Sequence, residues 1–145
     1  MDSNNISESL LRELVCFNFY RGWRGISEYY RKSLPVGVSA QQSYILELCA
    51  RDEPVHVTQI ANALEIDISA ISGMLRRMEK SGLIRRTVEP DNRRQTQVYL
   101  TETGEQLRDK VRREMERADA ALRELIPQKK INELIDIVDR IRKLR

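Results

Sequence analysis

The sequence predicts a mainly α chain with one small β-hairpin, and three observations carry that prediction. Apolar residues recur at helical spacing along most of the 145 residues, and only six Gly and four Pro interrupt them. Between residues 84 and 100 the apolar period drops from that of a helix to that of a strand. Hydrophobic residues make up 41% and charged residues 32%, enough for a core beneath a heavily charged surface. The length suits a single domain over residues 1–145.

The elements follow in order. Residues 8 to 33 read as one long helix: Cys16, Tyr20, Trp23, Ser27 and Tyr30 recur every three or four positions, with Leu10, Leu14 and Phe17 as a neighbouring row. Leu34-Pro35-Val36-Gly37 ends it. Ser39 with Gln42 three residues on is a capping-box signal for a helix over 39–51, buried through Tyr44, Ile45 and Leu48. Glu53-Pro54 stops it, and Val55-His56-Val57 leads into a short helix over 58–64. After the turn Glu65-Ile66-Asp67, a helix over 68–81 starts from Asp67 or Ser69 as N-cap and stops at Gly82. Its inward residues are Ile71, Met74, Leu75 and Met78.

Ile84, Arg86 and Val88 then alternate with Arg85 and Thr87, Pro90-Asp91-Asn92 supplies a turn, and Gln97-Val98-Tyr99-Leu100 is the return strand. Arg93 and Arg94 fall at the tip. Thr101 caps a long helix to about 126, with Leu107, Val111, Met115, Ala118, Leu122 and Leu125 in a near-heptad row. Pro127 separates it from a last helix carrying Ile131, Leu134, Ile135, Val138 and Ile141.

Charge sharpens the reading. Seven basic residues (76, 77, 80, 85, 86, 93, 94) stand against three acids (79, 89, 91) over residues 76–94, a local +4 in a chain of net +3. A solvated charge run is the ordinary explanation of such a cluster, but here it lies on a short helix and a hairpin. Two short helices, a tight turn and a hairpin form a winged helix-turn-helix, whose second helix enters the major groove of DNA. The outward face of that helix offers Ser69, Ala70, Ser72 and Gly73, small enough for close approach, and then Arg76 and Arg77. Arg93 or Arg94 would reach the adjacent minor groove. Double-stranded DNA is therefore the expected partner.

The run Leu83-Ile84-Arg85-Arg86, the tip, and Val98-Tyr99-Leu100-Thr101-Glu102-Thr103-Gly104 resembles the wing signature of the MarR family of bacterial regulators. Asp67 through Glu79 resembles that family's recognition helix. In the register that places Arg94 at the wing arginine, the signature's acidic residue falls on Asn92, with Asp91 beside it. The resemblance implies a winged helix-turn-helix lobe over 38–101 and a helical dimerisation region over 1–37 and 102–145. It implies a homodimer, most often a repressor, on a pseudo-palindromic operator. Long terminal helices with near-heptad stripes bury best against a two-fold mate, although a helical cap within one chain has the same periodicity.

Cys16-Phe17-Asn18-Phe19-Tyr20, with Tyr30 further along, resembles the thiol-based organic-hydroperoxide sensors of the family. That likeness makes Cys16 the sensing thiol, with Tyr20 and Tyr30 as partners that stabilise the thiolate. The other reading of Cys16 is a small core residue, and Cys49 reads as core outright. A small phenolic or lipophilic ligand beside Trp23, Tyr29 and Tyr30 is the competing signal.

Several classes fall away. The polar start Met1-Asp2-Ser3-Asn4-Asn5 is no signal peptide, and no apolar run approaches the ~20 residues of a membrane span, so a cytoplasmic protein without a membrane partner is expected. Two cysteines make no disulfide framework, and with the lone His56 they make no metal site. No phosphate loop, nucleophile elbow or histidine relay is present, and no cofactor is expected. A thiol peroxidase using Cys16 and a winged-helix protein-interaction module stand as alternatives.

Overall fold

The computed structural model describes residues 3–89 and 91–144, with side chains from residue 8 onward except at 93 and 94. Seven helices and a three-stranded antiparallel sheet are seen among them. The expected first helix is two helices, α1 (Ser3–Glu13) and α2 (Val15–Ser33). Leu14 between them is extended (φ −73, ψ 129). The break leaves carbonyls without helical donors. The Asn18 side-chain amide donates to Arg12 O (2.7 Å) across the break and also to Leu14 O (2.9 Å), which accepts from Asn18 N as well (3.2 Å).

Pro35 disfavours helical backbone at Leu34, which is extended and closes α2. Ser39 then caps α3 (Ala40–Leu48) through the expected box: Ser39 Oγ accepts from Gln42 N (3.1 Å) and Gln42 Oε1 from Ser39 N (3.0 Å). The helix ends at Leu48, short of the predicted 51. It buries Ile45 and Leu46, while Leu48 lies outward at 40% exposure, against the predicted buried row. Two residues, β1 (Val55–His56), form a strand that the periodicity did not reveal, followed by α4 (Val57–Leu64). Glu65 ends α4 in the left-handed region (φ 59), and Asp67, rather than Ser69, stands as N-cap of α5 (Ile68–Lys80).

Gly82, at φ +75, turns the chain from α5 into β2 (Ile84–Glu89). The return strand β3 (Asn92–Leu100) is longer than expected, so Arg93 and Arg94 are its second and third residues, beyond the turn. Pro90 lies outside the described residues. In the sheet β3 is central, with Arg86 opposite Val98 and Thr87 opposite Gln97 on one side and His56 opposite Gln97 on the other. A register shift at Val88/Glu89 brings Glu89 opposite Asn92.

Thr101 joins the wing to α6 (Glu102–Leu125). Its hydroxyl donates to Gly82 O (2.5 Å) and accepts from Gly104 N (3.0 Å). α7 (Gln128–Arg142) follows Pro127. The core draws on every element from α3 to α6: Ile45, Leu46, Ile60, Ile71, Leu75, Met78, Ile84, Val98, Leu100 and Val111 are all at 2% exposure or less. Arg112 forks onto Glu47 and ties α6 to α3. By contrast α2 and α7 bury no residue within one chain, and Leu10, Leu14, Trp23, Leu134 and Ile135 stand exposed. No helix among the described residues is long and apolar enough to cross a membrane.

Candidate nucleic-acid interface

α5 is amphipathic in the sense the sequence predicts. Ile71, Leu75 and Met78 are buried against the sheet and α4, which turns the opposite face outward. Ser69, Ala70, Arg76 and Arg77 on that face are exposed, and Ser72 and Gly73 are half-buried. A Cβ placed on Gly73 would meet nothing nearer than Arg77 Nη1 at 3.9 Å. Among the described residues neither Arg76 nor Arg77 is paired with a carboxylate, unlike Arg86, Arg108 and Arg112 elsewhere on the lobe. Both guanidiniums are therefore available to an external anion.

The wing is tied to this helix. Arg86 on β2 donates through Nη2 to Glu79 Oε1 (3.0 Å), and its backbone N–H donates to Glu79 Oε2 (3.0 Å). Glu79 sits in the last turn of α5, so one carboxylate fixes the angle between helix and strand. The Arg86 guanidinium holds the Glu79 carboxyl below its usual range. Arg85, on the same strand, stacks over the Tyr99 ring at 4.0 Å. The backbone of Arg93 and Arg94 opens β3 beside the turn residue Asp91, and their side chains lie outside the described residues.

The residues singled out on the first long helix separate. Cys16, the second residue of α2, is exposed. Tyr20 lies one turn on, half exposed, and its hydroxyl accepts from Arg24 Nη1 (3.3 Å). Tyr30 instead packs on the core with its ring edge-on to Tyr29, and burial pushes its hydroxyl pKa up. Fourteen residues of helix put Tyr30 roughly 21 Å along the axis from Cys16, so one chain does not bring the two together. Cys49 is buried as expected, and burial pushes its thiol up to about 12, with Arg108 opposing. Tyr29 donates to Ala118 O (3.1 Å) and so helps pack α2 on α6. Trp23 borders a cleft of about 350 Å³ with Arg24, Ser27, Glu28 and Arg31, and Ser27 Oγ there is buried without a hydrogen-bond partner.

Sequence reasoning missed the contributions of His56, Glu79 and Arg86. The LIRR run and the glutamate seven residues before Arg86 were the visible signal for the tether. Nothing local marked His56. Among the described residues no three His, Cys, Asp or Glu side chains gather as a metal ion would need.

Comparison with known proteins agrees with this geometry. The model of the MarR family matches residues 38–96. Over 100 residues the chain is 28% identical to the HTH-type transcriptional regulator MgrA of Staphylococcus aureus, covering 68% of each chain. It is 29% identical over 108 residues to the organic hydroperoxide resistance transcriptional regulator of Bacillus subtilis, covering 74% of each. In three dimensions it is similar to the transcriptional repressor CouR bound to a 23-mer DNA duplex, with a TM-score of 0.79, 26% identity, and 90% and 94% of the two chains covered. CouR from Rhodococcus jostii RHA1 has also been solved with p-coumaroyl-CoA. These relatives are named as transcription regulators, and CouR is seen holding a duplex. Over its winged-helix lobe the chain is thus similar to the MarR family of transcription regulators.

Proposed function

We propose that the protein is a homodimeric repressor that holds a pseudo-palindromic operator and leaves it on a chemical signal. Residues 38–101 are the DNA-binding lobe, and 1–37 with 102–145 are the dimerisation region. In each subunit α5 enters the major groove with Ser69, Ala70, Ser72 and Gly73 at base edges and Arg76 and Arg77 on phosphate or guanine. Arg93 and Arg94 serve the neighbouring minor groove. The observation that carries this reading is the exposed, carboxylate-free arginine pair on a small-residue face, locked to the wing by Glu79 and Arg86. The likeness to a repressor solved on a duplex supports it. The exposed apolar residues of α1, α2 and α7 support the dimer, since a covering partner removes them from water.

For the signal, oxidation of Cys16 by an organic hydroperoxide is the first reading. Its supports are the exposed thiol, Tyr20 one turn away, and the relative from Bacillus subtilis. In this reading Tyr30 acts on Cys16 only if it comes from the other subunit. A small phenolic or lipophilic ligand is the second reading, supported by the unpartnered Ser27 hydroxyl in the Trp23 cleft. Duplex binding by wild type and Cys16→Ser, each with and without an organic hydroperoxide, separates the two. Release of wild type alone supports the thiol, and equal behaviour of both proteins removes it.

A further inference from the structure

α7 buries no residue within the chain and carries Leu134, Ile135, Ile137 and Val138 exposed along it, yet its last turn touches the helix-turn-helix. There the Arg142 guanidinium pairs through Nη2 with the Glu65 carboxylate, both side chains partly exposed. The other arginine of that turn, Arg140, is held within α7 by Asp136 (2.9 Å). Arg142 thus joins the last helix of the chain to the turn Glu65-Ile66-Asp67 between α4 and α5.

Glutamate is not the residue that this backbone favours. Glu65 stands in the left-handed region (φ 59), where a helix end prefers glycine or asparagine because a Cβ crowds the following carbonyl. Its N–H closes α4 onto Ala61 O and Asn62 O, and Ile66 N–H donates to Ala61 O (3.1 Å). A glycine would make the same bonds with less strain, so the turn itself gives the carboxylate no role, whereas Arg142 does. From Glu65 onward the chain has little slack. Ile66 packs on the core, Asp67 is the N-cap of α5, and Ser69 and Ala70 follow in its first turn. A side chain that holds Glu65 therefore holds the start of the helix assigned to base edges.

Resting on the DNA-binding reading above, we propose that Arg142 and Glu65 are positioning residues through which the C-terminal helix braces the helix-turn-helix turn and sets the tilt of α5. Neither side chain touches DNA in this arrangement. A displacement of α7, whose apolar face is left for a partner to cover, passes to α5 through the pair. Without the pair α5 is ordered only by the duplex, and that ordering is taken out of the affinity. Charge alone predicts the opposite sign for Glu65, since removing a carboxylate from a basic lobe strengthens its attraction for a polyanion.

The test uses the full chain and a duplex that the wild-type protein selects from a random pool, with binding read across a salt series. Glu65→Asn keeps a residue suited to left-handed backbone and removes the pair, and Arg142→Gln removes it from the other side. Each should weaken binding by about fivefold, the most that a partly exposed pair supports, with the slope of log K against log salt unchanged. The double variant should bind no more weakly than either single one, and Arg142→Lys should recover most of the loss. In the free protein, Arg142→Gln should speed hydrogen exchange at the Glu65 and Ile66 amides by about fivefold and leave those of α3 as they are. A Glu65→Asn protein that binds as tightly as wild type, or more tightly, overturns the brace and leaves the DNA-binding reading standing. A slope reduced by about 0.9 in Arg142→Gln puts that guanidinium on a phosphate and overturns it too. Additive losses in the double variant, or a changed sedimenting mass, also overturn it, because the side chains then act apart or through assembly. A wild-type chain that selects no duplex removes both readings.

Discussion

At the scale of single residues, the outward face of α5 was legible because a helix that buries Ile71, Leu75 and Met78 has little freedom in what it presents to solvent. Arg76, Arg77, Ser69 and Ala70 are exposed as that period requires. Gly73 makes the division between stability and function testable. Its space admits a methyl group, so Gly73→Ala should raise stability by about 0.5–1 kcal/mol in denaturant melts. The same methyl lies on the face proposed to meet base edges, so duplex affinity should fall. A variant that is more stable and binds equally well would move the contact away from Gly73. For the cysteines, the high thiol pKa of Cys49 predicts that alkylation of the native protein spares it until the chain unfolds, as peptide mapping by mass spectrometry can check. His56 was not legible, because the Glu89 carboxylate that its ring faces stands on a strand far from it in the chain.

At the scale of elements, local signals were read well and non-local ones poorly. The Ser39–Gln42 box, the Gly82 stop and the Thr101 cap each involve neighbours in sequence, and each is present. The break at Leu14 was hidden because the apolar row runs through it while the Asn18 amide stabilises it. β1 is a strand only through its pairing with β3, which no period in two residues can announce. The α5–wing junction has its own predictions. A Cβ on Gly104 would lie 1.9 Å from the Leu83 carbonyl oxygen, a backbone atom that cannot swing aside. Gly104→Ala should therefore cost about 1–3 kcal/mol, read as a lowered Tm, and an unchanged Tm would contradict the close approach. The Glu79–Arg86 tether depends on an ionised carboxylate whose folded-state pKa is depressed by Arg86. Its contribution is complete above pH 4.5 and is lost as pH falls through the lower folded value. Glu79→Gln should flatten the acid limb of the stability profile over that window.

At the scale of the whole molecule, one chain folds a lobe with a closed core and leaves α1, α2 and α7 with apolar surface in water. The stripe on α6 shows where one becomes the other: Val111 and Ala118 are buried within the chain, whereas Leu125 is 80% exposed. The sequence indicated these helices but not their partner, because periodicity specifies a face and not what covers it. Two subunits should sediment together at twice the 17.0 kDa of one chain, and Ile135→Glu on the exposed face of α7 should yield the single-chain mass. A wild-type protein that sediments as one chain would refute the dimer.

The most direct measurement is the salt dependence of duplex binding, by fluorescence anisotropy, for wild type, Arg76→Ala and Arg94→Ala. If α5 and the wing of one lobe grip neighbouring grooves, each substitution weakens binding and reduces the slope of log K against log salt by about 0.9. Affinities and slopes indistinguishable from wild type in both variants would mean that DNA does not meet this face.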